Sequence, residues 1–392
     1  MRIIEKIVMP ALVLAVAVAV SVGCRKDEPF NFYPGEGGTL PSDYDVINVP
    51  ADVNAEPAGF YLLNEGKQGS NKAQLDFCNF RNAFYIRDVF TEYNPEVVKG
   101  LGDVGNDVQV YDGKVFTVVN GSHKVEVLDA YSVKRLAKVD VPNCRYIAFD
   151  GNNAYVTSWV ATDQTALPNQ KGALYRIDLD TYKITGEAIV GYQPEQVVIL
   201  DGKAYVANSG GYHTGYDNTV SVVDLKSMSV DYTIDVAVNL SKMLVSSDGT
   251  IWVSSNGNYA DVSSSLCYLT KNGDKYEKAG SLDIPVSVMA LSGDEVYIIG
   301  STYTPPTWAL TTTYNKVNVS SRTVESGSFI TDGTESDITV AYGLAVNPRS
   351  GDIYVTDAKD YLSSGALHCY DKSGKHKWAV RTGDIPGHIA FL

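Results

Sequence analysis

The sequence predicts an all-β fold: a seven-bladed β-propeller of four-stranded blades, its ring closed by the C-terminal strand. Three observations predict it. A strand–turn–strand unit recurs about seven times. The copies are spaced like propeller blades. The last six residues match a strand that the first copy lacks.

The unit is an apolar strand, a turn of the Asp-Gly kind, and an aromatic-apolar strand. It reads DVQVYDGKVFTVVN from Asp107, IAFDGNNAYVTSW from Ile147 and VVILDGKAYVANS from Val197. It continues as MLVSSDGTIWVSS from Met243, VMALSGDEVYIIGS from Val288 and LAVNPRSGDIYVTD from Leu344, with a degenerate copy, GFYLLNEG, at Gly59. The aromatics of the second strands, Tyr61, Phe116, Tyr155, Tyr205, Trp252, Tyr297 and Tyr354, lie 39 to 57 residues apart, close to the length of a four-stranded blade. The Asp-Gly pairs supply the positive φ that a tight hairpin needs.

Each copy carries two further strands. The third alternates toward a polar end: VEVLDA from Val125, LYRIDLD from Leu174, VSVVDLK from Val220, LHCYDK from Leu367. A more polar fourth follows, such as KITGEAIV from Lys183, and then often a proline: Pro142, Pro194, Pro285 or Pro386. Proline has no N–H to give a central ladder, so it suits a strand end. GHIAFL from Gly387 has the pattern of a first strand. It is expected to complete the blade that opens at Gly59, which removes an exposed edge where the chain ends meet.

The N-terminus reads as an export signal over residues 1–23. Arg2 and Lys6 precede an apolar run from Ile7 to Val22, too short for a comfortable span, and Ser21-Val22-Gly23 precedes Cys24. Small residues before a cysteine resemble a bacterial lipobox, with Ser21 where leucine is usual, which makes Cys24 the lipid anchor. Arg25-Lys26-Asp27-Glu28 resembles the surface-export signal of Bacteroidetes lipoproteins. Residues 24–57, rich in Gly, Pro, Asp and Glu, read as a lipidated flexible tether, and residues 58–392 as the propeller. The expected location is the outer membrane, cell-surface exposed.

The net charge is −14, and about −15 once the leader is removed. A chain this acidic does not bind nucleic acid through phosphates, and membrane contact is expected through the lipid alone. Cys78, Cys144, Cys267 and Cys369 fall in strands of separate blades, without metal-ligand spacing, and read as buried small apolar residues. Cys78 and Cys369, neighbours once the ring closes, are the pair to check for a disulfide.

The loops from second to third strand are long and share one face with the blade-to-blade connections, whereas the opposite turns are minimal. They run from Ser158, Asn208, Ser255, Ser301 and Asp357. They carry Trp159, Tyr212, His213, Tyr216, Tyr259, Tyr303, Trp308, Tyr314 and Tyr361. The connections add Arg145, Tyr146, Tyr192 and Tyr342. The chain has 26 tyrosines, more than a core needs. Tyr and Trp join a large apolar face to a polar handle with little rotamer freedom. Gathered on one face, they suit a large flat ligand bearing amides, hydroxyls or sugars, although some of them simply pack between loops.

Enzyme signatures are poor. SSDGTIW from Ser246 is similar to a sialidase Asp-box but sits in a hairpin and reads as a turn. There is no G-x-S-x-G or H-E-x-x-H. Asp332, Glu335 and Asp337 read as a solvated acidic loop. No catalytic residue, metal site or required cofactor is assigned.

The segment from Asp201 to Leu225, DGKAYVANS followed by TVSVVDL, resembles the YncE-like seven-bladed propellers, and the resemblance covers Ala58 to Leu392. With a lipidated N-terminus and Tyr-rich loops, the chain resembles the surface cobalamin-binding (BtuG-like) propeller lipoproteins of Bacteroidetes. That resemblance implies a non-enzymatic protein that binds a corrinoid and delivers it to a TonB-dependent outer-membrane transporter. Loop aromatics would pack on the corrin and its nucleotide tail. Arg145 would serve the polar rim or phosphate, and His213 would hydrogen-bond the ligand or reach its cobalt. A glycan-binding or adhesive surface propeller is the alternative, and a propeller hydrolase or lyase stands third.

Overall fold

The computed structural model describes residues 43–163, 166–304, 306–307 and 309–392. Seven antiparallel sheets follow one another around a ring. Blade 1 contains β1 (Tyr44–Val46), β2 (Gly59–Asn64), β3 (Gln74–Asn79) and β4 (Phe84–Ile86), with β29 (Pro386–Phe391) as its innermost strand. Blade 2 is β5 (Gly105–Tyr111) to β8 (Arg135–Asp140), and blade 3 is β9 (Cys144–Asp150) to β12 (Lys183–Tyr192). Blade 4 is β13 (Pro194–Leu200) to β16 (Ser229–Asp235), and blade 5 is β17 (Leu240–Val245) to β20 (Lys275–Leu282). Blade 6 is β21 (Val288–Ser292) to β24 (Thr323–Val324), and blade 7 is β25 (Ala341–Val346) to β28 (His376–Asp384). The innermost strands β29, β5, β9, β13, β17, β21 and β25 each neighbour the next, so the ring is closed.

The predicted closure is present. β29 pairs antiparallel with β2, Tyr61 opposite Ala390 and Leu62 opposite Ile389. The Asp-Gly turns behave as their chemistry requires. Asp112 and Gly113 have φ of 48° and 67°, and Asp201 and Gly202 have 53° and 72°, the mirror-image turn that matches strand twist. SSDGTIW is likewise a turn: Asp248 accepts from the Thr250 N–H at 3.0 Å and the Ser246 hydroxyl at 2.6 Å. Pro194 and Pro386 open inner strands rather than close the preceding blade.

All seven marker aromatics are buried, and six of them join one blade to the next. Phe116 packs with Ile147 and Val156, Tyr155 with Val197 and Val206, Tyr205 with Met243 and Val253. Trp252 packs with Val296 and Ile298, Tyr297 with Leu344 and Val355, and Tyr354 with Phe60 and Leu62. The core is therefore a ring of inter-blade clusters, which leaves the axis free.

The N-terminal segment differs from the expected tether. Tyr44–Val46 add a fifth strand to the outer edge of blade 1, Tyr44 opposite Ile86, and Ile47 is buried behind it. Three residues are too few to show a strand period, so the segment reads as spacer. Charge holds it in place. Arg87 donates from Nε to Asp43 at 2.8 Å and from Nη1 to Asp45 at 2.7 Å, and Arg381 meets Asp43 at 3.2 Å. A short helix α1 (Val89–Tyr93), capped by Asp88, follows β4. Among the described residues, no helix is long and apolar enough to cross a membrane. The leader and Cys24 lie outside the described residues.

Candidate functional site

Three of the long loops are fixed at their roots by a serine at, or just past, the end of the second strand. The Ser209 hydroxyl donates to the Gln193 carbonyl at 2.8 Å and accepts from the Gly211 N–H at 3.2 Å. Ser255 repeats this with the Val238 carbonyl at 2.6 Å and the Gly257 N–H at 3.1 Å. Ser158 does so with Pro142 and Val160. Each loop thus starts locked to the connection entering its own blade. The side chains of Asn143 and Asn239 tie the loops back through the Ala161 and Gly257 carbonyls.

The loops surround a funnel of about 410 Å³ at the ring axis. Its floor is made by the inner strands, and the polar residue opening each strand's apolar run recurs there: Asp107, Tyr146, Gln196, Lys242 and His388. The lining falls into three sectors. Blades 1 and 2 give an acidic sector of Glu65, Asp107 and His388. Blades 3 to 5 give a donor sector of Tyr146, Gln196 and Lys242, and blades 6 and 7 an apolar one of Val288, Met289, Leu310 and Leu344. Tyrosines 259, 303, 342 and 361 form the walls above.

Hydrogen bonds order the floor. In the acidic sector Tyr342 donates to Glu65 at 2.9 Å, His388 Nε2 lies 3.3 Å from Glu65, and His388 Nδ1 lies 4.0 Å from Asp107. Asp107 also accepts from the Ile147 N–H at 3.1 Å. Burial holds the Asp107 carboxyl above its ordinary range, against the pull of His388, and burial together with Glu65 pushes the Tyr342 hydroxyl up. Lys242 reaches from blade 5 past blade 4 to Tyr146 on blade 3, donating to its hydroxyl at 2.5 Å. Burial opposes its charge, yet Tyr146, Glu195 and Glu65 together hold its pKa above the ordinary value. Among the described residues no group of three or more His, Cys, Asp or Glu could hold a metal ion.

A family model described as "Domain of unknown function (DUF5074)" matches residues 58–384. The chain belongs to the DUF5074 family. No curated protein sequence matches it. The DUF5074 ring is similar to Kuenenia stuttgartiensis hydrazine synthase, 15% identical over 73% of this chain and 89% of that one, with a TM-score of 0.58. It is also similar to a quinonprotein alcohol dehydrogenase-like protein from Bacteroides thetaiotaomicron, 16% identical over 86% of this chain and 78% of that one, with a TM-score of 0.57. At these identities the likeness is one of fold.

The DUF5074 structure brings Tyr146, Tyr259, Tyr303, Tyr342 and Tyr361 together at the funnel. Tyr259 is 76% exposed, Tyr303 56% and Tyr361 39%, so their faces are open at the mouth. A second aromatic group lies on the loops of blades 3 and 4 and the end of β12. Tyr192 stacks on His213 at 4.0 Å, and Tyr212 meets Trp159 edge-on at 5.7 Å. Tyr216, in an αL turn, follows in the same loop. Arg145 is occupied within the protein: its guanidinium pairs with Glu195 at 2.9 Å and covers the Trp159 ring at 4.5 Å. Trp308 lies outside the described residues.

Tyr314 is a correction. The segment read as a loop from Ser301 is mostly strand, because β22 (Glu295–Thr304) and β23 (Ala309–Asn318) form one extended hairpin. Tyr314 pairs with Ile299 inside it and packs against Phe329 in the core between blades 6 and 7. Sequence reasoning passed over Glu65, Asp107, Gln196, Lys242 and His388. A signal existed for the last four. Each opens the apolar run of a first strand, and that position recurs in every copy.

Proposed function

We propose that the protein is a surface-exposed lipoprotein, lipidated at Cys24, that binds a corrinoid without chemical turnover and delivers it to a TonB-dependent outer-membrane transporter. The observation that carries this reading is the mouth of the funnel. Open tyrosine faces surround a cavity of about 410 Å³, near the lower end of the roughly 300–1,000 Å³ of small-molecule pockets. Such a cavity is too small for a macrocycle but admits its peripheral groups. A wide, flat, amide-rimmed ligand lies across the mouth, its face on Tyr259, Tyr303 and Tyr361. The Arg145–Glu195 pair serves as a brace for Trp159 rather than as a free cation.

The test is titration of the purified full chain in detergent with cyanocobalamin, followed by fluorescence and calorimetry. Saturable one-to-one binding is expected. Tyr259→Ala and Tyr303→Ala should each weaken it roughly three- to tenfold, the worth of one aromatic contact, while leaving the melting temperature unchanged. Absence of binding at micromolar cyanocobalamin overturns the reading. The glycan alternative rests on the same tyrosines above a polar floor, and saturable binding to an oligosaccharide panel would replace the corrinoid.

A further inference from the structure

The funnel floor has an opposed polarity that the tyrosine wall does not explain. Lys242 makes one side-chain hydrogen bond, to Tyr146, and no ion pair among the described residues. An ammonium carries three N–H donors, so two are left for the cavity it lines. On the other side, Glu65 and Asp107 each keep acceptor capacity beyond their contacts with Tyr342, His388, Ile147 and Gln109, whose Nε2 donates to Asp107 at 3.1 Å. One wall of a single cavity donates and the other accepts.

A charged guest matches only one wall of the floor. Arg145 and Glu195 neutralise one another, which leaves two carboxylates facing one lysine. An entering carboxylate meets two like charges and brings no donor for Glu65 and Asp107, and an entering ammonium brings no acceptor for Lys242. A hydroxyl donates and accepts through a single oxygen, so it bridges the walls only where they nearly meet. A primary carboxamide has two N–H donors at one end and a carbonyl oxygen at the other, so it spans both walls while remaining neutral.

We infer that the floor is a subsite for one primary carboxamide of the ligand, with Glu65 and Asp107 accepting from its NH2 group and Lys242 donating to its carbonyl oxygen. This rests on the corrinoid reading and extends it. Glu65 and Lys242 become specificity-determining residues that select an amide over the corresponding acid, and the tyrosines supply area.

The experiment compares cyanocobalamin with its three propionamide-derived monocarboxylic acids, each with one amide hydrolysed, on the full chain in detergent. At least one acid is expected to bind roughly ten- to hundredfold more weakly than cyanocobalamin, the loss of a hydrogen bond to a charged group. Glu65→Gln should recover that acid selectively, because it removes a like charge and adds a donor. Lys242→Met should weaken cyanocobalamin by about tenfold or more, with circular dichroism confirming the fold. If cyanocobalamin binds but all three acids bind equally well and neither substitution shifts selectivity, the carboxamide subsite is overturned and the corrinoid reading stands. If the wild-type chain does not bind cyanocobalamin, both fall.

Discussion

Cys78, Cys144, Cys267 and Cys369 are free and buried, one in each of four blades. Cys78 and Cys369 share a hydrophobic cluster without being bonded. Burial pushes the Cys144 thiol up to about 12 and raises the other three as well. The thiolate is the reactive form, so iodoacetamide at pH 8 should label none of the four in the native protein and all four after unfolding in guanidinium. Rapid native labelling of any would show that its blade opens. Two tyrosines separate core from site in the same way. Tyr314→Ala should cost about 3–5 kcal/mol of stability, read by urea titration, whereas Tyr259→Ala should cost little because its ring is open to solvent. These two were indistinguishable in the sequence, since both sit in Tyr-rich stretches after a second strand. What separates them is where the hairpin ends, and the polar run around Thr311–Thr313 gives no sign that the ladder continues through it.

At the scale of the element, the inner strands carry both closure and site. β29 covers one edge of β2, and its His388 supplies the acidic sector of the floor. Removing residues 386–392 should abolish the cooperative melting transition, because blade 1 would lose its inner strand and the ring its closing contact; an unchanged melting temperature would refute this. The junctions between blades are equally tight. A Cβ on Gly172 would lie 2.1 Å from Pro194 Cδ, and one on Gly365 2.5 Å from Pro386 Cδ. Gly172→Ala is therefore expected to cost about 1–3 kcal/mol, measured by chemical denaturation. The hairpins and β29 were legible because strand period and turn chemistry are local. The fifth strand of blade 1 was not, because its place depends on Arg87, more than 40 residues away in the chain.

For the whole molecule, the fold was readable because the same unit is written about seven times, and the aromatics of six copies do the same job between blades. The floor of the site was harder to read because it takes one residue from each of several copies, and no two are close in sequence. The loops advertised themselves by composition, and the axis did not. The N-terminal clamp adds a dependence on acidity. The hydrogen bond from Arg87, with the charges of Arg87 and Arg381, holds Asp43 below its ordinary value of 3.8 against the opposing effect of burial. Its contribution is complete above that value and is lost as pH falls through the lower, folded-state one. The carboxylate is half exposed, so the term is on the order of 1 kcal/mol or less. The stability difference between wild type and Arg87→Met should be flat from pH 5 to 8 and shrink below about pH 4; a difference independent of pH down to 3 would assign it to packing alone.

That clamp also decides how the molecule carries a load. Because β1 runs antiparallel to β4, Asp43 sits on the side where β4 departs for blade 2, the side of the long loops. Tension arriving along the chain at Asp43 pulls on the end of a three-residue strand. It peels that strand bond by bond, starting with the pairs to Arg87 and Arg381. β2, β3, β4 and β29 stay paired with one another without β1, so ring closure and the funnel do not depend on the outer strand.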